Sequence, residues 1–173
     1  MESKFGQLLF GWFIFSFSYS AFAQESFSQH SSQKSWLSDH DPVLSQNKKI
    51  VYDFWREVLE AGHLDLADKY MTETYIQHNP NVPTGRKGFI DFFSTFRKPQ
   101  PIADSIKGPL ISIVAAGDLV VLVFKREFPD PKDPTKKYTT TEFDMLRIEG
   151  GRLPSIGIHP ESNEQINLFP INS

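Results

Sequence analysis

The chain has 173 residues, 39% of them hydrophobic and 23% charged, with a formal net charge of −3 and no cysteine. A chain of this length can bury a core unaided, and the lack of cysteine excludes a disulfide scaffold, a Cys-ligated metal site and a thiol nucleophile. The slight acidity argues against a nucleic-acid partner held by bulk positive charge, and the apolar content is too high for a wholly disordered chain.

Residues 1–23 stand apart. Six of the 16 phenylalanines fall here, and Lys4 precedes an apolar stretch from Leu8 to Phe17. Ala21-Phe22-Ala23 then supplies a small-x-small cleavage pattern. This is the layout of a secretory signal peptide cut before Gln24. The run is short for a bilayer span, which needs about 20 apolar residues, so no stable membrane anchor is expected after cleavage. The location implied is secreted or periplasmic. Residues 24–46 are rich in Ser and Gln without hydrophobic periodicity and predict a flexible leader.

The folded domain is expected over 47–160, followed by a C-terminal tail over 161–173. Ile50, Val51, Phe54, Trp55, Val58 and Leu59 recur at helical spacing. Gly62 is placed to end that helix, and Leu64 to Met71 predicts a second, short one. Tyr75 to His78 is extended, and Asn79 to Pro83 is a loop by its turn residues. Thr84 can cap a third helix from about Arg86 to Arg97, with Phe89, Ile90, Phe93 and Phe96 on its apolar side. From Leu110 the period changes to two. Strands are predicted over Leu110–Ala115, Leu119–Phe128 and Tyr138–Ile148, and a last segment over Arg152–His159. Three helices followed by antiparallel strands is an α+β layout, a curved sheet wrapped on helices.

No phosphate-cradling glycine loop, nucleophile elbow or metal-ligand spacing is present. Three polar residues among apolar ones remain as candidates. His78 ends the extended segment, where an imidazole can polarise a carbonyl or shuttle a proton, or simply bond the loop backbone. Asp144 lies in the alternating strand Tyr138–Ile148, neither face of which is cleanly apolar. Pointed into an apolar cavity it becomes an acid or base with a raised pKa; otherwise an ion pair with Arg126 or another cross-strand base is the expectation. His159 precedes Pro160 near the sheet's end. His78, His159 and a carboxylate have only generic spacing, so neither a metal nor another cofactor is expected.

The stretches Tyr75-Ile76-Gln77-His78-Asn79-Pro80 and Gly85-Arg86-Lys87-Gly88-Phe89-Ile90-Asp91-Phe92-Phe93 resemble a motif of the SnoaL-like family. Ala116-Gly117-Asp118-Leu119-Val120-Val121 and Phe143 to Arg152 continue the likeness in order. It spans about Asn47 to Ile158 and is most similar to the SnoaL-like aldol-condensation branch of the nuclear transport factor 2-like superfamily. The resemblance implies a cone-shaped curved antiparallel sheet packed on about three N-terminal helices around an apolar pocket. Trp55, Tyr75, Phe89, Phe93, Phe124 and His159 are expected to line that pocket. It also implies cofactor-free acid/base chemistry of aldol, isomerase or lyase type on a small apolar carbonyl compound. His78 would be the acid or electrophile, and Asp144 the base or the residue that orients His78. The family's strand-end His-Trp-Asp is replaced by Ile156-Gly157-Ile158, which removes a terminal carboxylate and favours a second reading, a non-catalytic small-ligand binder. A third is a dimerisation domain, since open sheets of this superfamily commonly pair face to face.

Overall fold

In the computed structural model the chain is described over residues 32–158. The expected signal peptide, most of the first half of the expected leader, His159 and the expected tail lie outside the described residues. Among the described residues no helix is long and apolar enough to cross a membrane.

Order begins before Asn47. Ser32 accepts the Lys34 N–H and starts a 3-10 turn, Gln33–Leu37. The buried Gln33 amide then behaves like a strand partner for Ile106, 73 residues away. Its Nε2 donates to the Ile106 carbonyl at 2.8 Å, and its Oε1 accepts the Ile106 N–H at 3.0 Å and the Tyr52 hydroxyl at 2.9 Å. Thus the part of the expected leader after residue 31 is latched to the domain by an amide that satisfies buried backbone, a signal that hydropathy does not carry.

Helix α1, Pro42–Phe54, opens with the side chain of Asp41 accepting the Val43 N–H at 2.7 Å and Pro42 in the first turn, the placement both residues favour. It runs directly into a wider π-helical turn, Trp55–Glu60, closed by the Ala61 N–H on the Arg56 carbonyl. The wider turn keeps Trp55, Val58 and Leu59 all buried. Its polar side chains fasten the 103–108 connection. The Glu60 carboxylate accepts the N–H groups of Lys107 and Gly108, both at 2.7 Å, and Arg56 Nη1 donates to the Ala103 carbonyl. Gly62 then turns the chain at φ 75°, where a Cβ would stand 2.8 Å from the Lys98 carbonyl oxygen.

The second helix is a single turn, α2, Ala67–Tyr70. Met71, expected to end it, instead opens strand β1, Met71–Gln77. Helix α3, Arg86–Ser94, follows. It starts from Gly85 at φ 87° without the side-chain cap expected of Thr84, whose hydroxyl lies 3.4 Å from the Gln77 N–H instead. Four strands complete the sheet: β2, Leu110–Ala116; β3, Leu119–Asp130; β4, Asp133–Glu149; and β5, Arg152–Ile158.

Their order is β1-β5-β4-β3-β2. Neighbours are antiparallel except β1 and β5, which are parallel, so the curved sheet is mixed rather than wholly antiparallel. The parallel pair joins the first and last strands, a long-range choice that no local pattern encodes. Its register slips between Met71 and Ile76. The Met71 and Tyr75 carbonyls are taken by Arg86 and the Gly85 N–H, so the bulge docks the start of α3.

The inner face of the sheet carries Val120, Leu122 and Phe124 from β3 and Asp144, Leu146 and Ile148 from β4, all buried. Against them pack Val51, Phe54, Trp55 and Val58 from the first helix and Phe89 and Phe93 from α3. Phe89 sits among rings, 4.5 Å from Phe93, 5.9 Å from Tyr75 and 6.0 Å from Phe54 between centroids. The outer face is apolar as well: Val114, Phe143 and Met145 are 51%, 47% and 45% exposed. Among the described residues, beyond Lys125 and Thr141 β3 and β4 pair only with each other and project as a two-stranded arm, which carries the exposed Phe128–Tyr138 ring pair near its end.

Candidate functional site

Asp144 is flanked in register by Leu122 on β3 and Ile158 on β5. It has no solvent exposure, and neither of its carboxylate oxygens has a hydrogen-bond partner among the described residues. Period-two alternation puts it on one face with Leu146 and Ile148, which is the buried face, while Phe143, Met145 and Arg147 share the outer one. Burial pushes its pKa up, the charge of Glu142 adds to this and Arg126 opposes it, so Asp144 titrates at about 7 rather than in the usual carboxylate range. Arg126 does not form the ion pair expected with Asp144. Its Nε bonds Glu142, one step along the same face, and its guanidinium carbon lies 5.4 Å from the Phe124 ring centroid. The second oxygen of Glu142 is also buried without a hydrogen bond among the described residues. Phe124 stacks on Trp55 at 4.8 Å, which gives this end of the interior an aromatic wall.

Tyr75 reaches the same interior from β1 and is fully buried. Its hydroxyl oxygen accepts from Gln77 Nε2 at 3.3 Å, and Gln77 Oε1 accepts the Asn79 N–H at 2.9 Å. Because the amide oxygen is engaged by Asn79, the amide nitrogen must be the end that faces Tyr75. Burial first, and then the charge of Asp144, hold the phenol well above its ordinary pKa, so it stays protonated. Gln77 shares a register row with Ile156 and Leu146, the row next to that of Asp144.

Exposure grades smoothly away from Asp144. The Glu142 and Arg126 side chains are 11% and 20% exposed, and Phe128 and Tyr138 beyond them are 42% and 46% exposed. The inner face therefore opens toward the projecting arm.

Of the expected site residues, the structure gathers Asp144, Tyr75, Trp55 and Phe124 in one interior, with Phe89 and Phe93 beneath α3. His78 is elsewhere. It follows β1, is exposed, donates its backbone N–H to the Ile156 carbonyl at 3.1 Å and makes no hydrogen bond to Asp144. His159 lies outside the described residues. Glu142, Arg126 and Gln77 belong to the site but were not singled out for it by sequence. Strand alternation was the available signal: Glu142 is two residues from Asp144, and Gln77 is two from Tyr75. Among the described residues no group of three or more His, Asp or Glu side chains could hold a metal ion. A separate hollow of about 440 Å³ beside the N-terminal turn, lined by Leu37, Asp39, His40 and Lys49 among others, contains none of these site residues.

Residues 51–155, more than half of the chain, match the SnoaL-like domain family. The chain belongs to the SnoaL-like domain family. Among solved structures, this SnoaL-like domain is similar to a candidate polyketide cyclase from Acidithiobacillus ferrooxidans. That pair shares 22% identity over 64% of this chain and 84% of the other, with a TM-score of 0.45. A candidate SnoaL-like polyketide cyclase from Jannaschia sp. CCS1 shares 17% identity over 70% of this chain and 90% of its own, with a TM-score of 0.49. A de novo designed protein with a curved β-sheet shares 16% identity over 65% and 83%, with a TM-score of 0.43. No curated protein sequence matches this SnoaL-like domain.

Proposed function

We propose that this SnoaL-like domain takes a small, largely apolar carbonyl compound against the inner face of its sheet and moves a proton with Asp144, without a cofactor. The observation that carries the reading is the fully buried carboxyl with no hydrogen-bond partner among the described residues. A buried charge with no partner is costly to keep, and such groups concentrate where a proton must be exchanged near neutral pH. The aromatic wall of Trp55 and Phe124 suits an apolar body, and the Arg126–Glu142 pair borders the way in. His78 is not assigned a role in this interior.

The test is exchange of the α-hydrogens of cyclohexanone and 1-indanone for deuterium, followed by proton NMR. Exchange above the buffer rate is expected with the parent, rising through about pH 7 as Asp144 ionises, and background exchange is expected with D144N. Buffer-rate exchange by the parent at every pH would leave a binder without proton chemistry.

The sequence of residues 1–23 supports export. The mature protein from the periplasm or medium is then expected to begin at Gln24; an intact Met1 on the exported protein would contradict cleavage there.

A second reading concerns the opposite face. Val114, Val121 and Met145 form one cross-strand row, with Val123 and Phe143 in the next. An outward apolar row of this kind is an interaction surface by default, and pairing with a second copy is the use we assign to it. Sedimentation equilibrium is expected to give a dimer for the parent and a monomer for M145D with unchanged circular dichroism. A parent that stays monomeric at its highest soluble concentration would remove this reading.

A further inference from the structure

Tyr75 and Asp144 have complementary deficits in one interior. The Tyr75 oxygen accepts from Gln77, yet among the described residues nothing accepts its hydroxyl proton. Asp144 has two acceptor oxygens and, among the same residues, no donor to either. Buried polar groups are nearly always satisfied, and these two do not satisfy each other. A ligand satisfies both if it carries an acceptor carbonyl oxygen and an acidic hydrogen on the carbon next to the carbonyl carbon. An enolisable ketone has that arrangement: its carbonyl oxygen meets the phenol and its α-hydrogen meets the carboxylate.

We propose that Tyr75 is the hydrogen-bond donor to the carbonyl oxygen of an enolisable ketone, that Gln77, itself fixed by Asn79, is the positioning residue that aims it, and that Asp144 takes the α-hydrogen. The inference rests on the proton-transfer reading above and adds the donor that His78, being exposed, does not supply. The electrons balance within the substrate. Asp144 removes the α-hydrogen as a proton, and the C–H pair becomes the new C=C bond. The former carbonyl π pair moves onto oxygen, where the Tyr75 hydroxyl stabilises the developing charge. Return of the proton from Asp144 to carbon completes an isomerisation or an exchange, and attack of the enolate carbon on a second carbonyl completes an aldol closure. Tyr75 stays protonated throughout and acts through its hydrogen bond alone.

The chain from Asn79 to Gln77 to Tyr75 is what distinguishes this role from packing. A structural tyrosine needs its ring beside Phe89, which Phe supplies equally well. A donor needs its hydroxyl, and the hydroxyl needs Gln77 to occupy its lone pair and turn the proton away from the strand.

The experiment uses the full chain with two probes, 1-indanone for exchange and 4-nitrophenolate as a stable likeness of the enolate. Y75F is expected to lower the turnover rate for exchange about a hundredfold with little change in KM, and Q77M about tenfold. In the D144N background, which imitates the protonated acid, 4-nitrophenolate is expected to bind, and adding Y75F to weaken it about tenfold. Exchange and phenolate affinity unchanged in Y75F would overturn the assignment while leaving Asp144 as the base. Absence of exchange in the parent would overturn the proton-transfer reading and this inference together. Should Y75F fail to fold, Q77M with parental exchange would be the contradicting result.

Discussion

D144N is expected to be more stable than the parent at pH 8, equal to it at pH 4, and about a thousandfold slower in proton transfer. The sign follows from the raised pKa of Asp144, about 7 in the fold against 3.8 for a free side chain. Below about pH 4 both folded and unfolded chains hold the proton, and the group contributes nothing to the pH dependence. Between about 4 and 7 the unfolded chain has ionised while the folded one has not, so stability falls as pH rises. Above 7 the loss is complete, on the order of 4 kcal/mol for a group so fully buried. The neutral amide escapes that loss, which is worth roughly 2–4 kcal/mol, or roughly 5–15 °C in Tm at pH 8. Thermal melts of both proteins from pH 4 to 8 check this. Parallel curves at every pH would mean that Asp144 carries no burdened charge. Stability given up at one residue whose removal stops the chemistry is the pattern of a functional group rather than a structural one.

F89A is expected to lose about 3–5 kcal/mol, a large share of the total for a domain of this kind, which is about 5–15 kcal/mol. Phe89 is 2% exposed and touches the rings of Phe54, Tyr75 and Phe93, so its removal opens a hole at the meeting of α1, α3 and β1. It also removes the edge-to-face neighbour of Tyr75, so exchange is expected to fall even at temperatures where F89A is fully folded. Urea unfolding measures the first effect; a loss below about 1 kcal/mol would be at odds with a packed ring cluster.

Much of the fold was legible because its signals are local. The apolar spacing of Val51, Phe54, Trp55, Val58 and Leu59 is a helix face wherever it lands, and the two-residue alternation around Asp144 is a strand. What was not legible depends on partners distant in sequence. Gln33 is polar and unremarkable until Ile106 is set beside it. Met71 ends a helix by its neighbours but begins a strand because Leu153 pairs with it. Both faces of β4 are mixed, and β3 offers apolar residues on both sides too, so only the docking of the helices decides that Asp144 goes inward. His78 illustrates the finest margin. It stands one residue past Gln77, and on a strand one residue is a change of face. The motif around it was readable, yet the side chains delivered to the interior are Tyr75 and Gln77.

The most direct test of the central claim is the titration of the Asp144 carboxyl itself, followed through its side-chain carbon by NMR in uniformly labelled protein and assigned with D144N. The expected midpoint is about 7. A midpoint in the ordinary range near 4 would mean that the carboxylate is solvated or paired, and it would contradict the account of Asp144 as a buried group poised to exchange a proton.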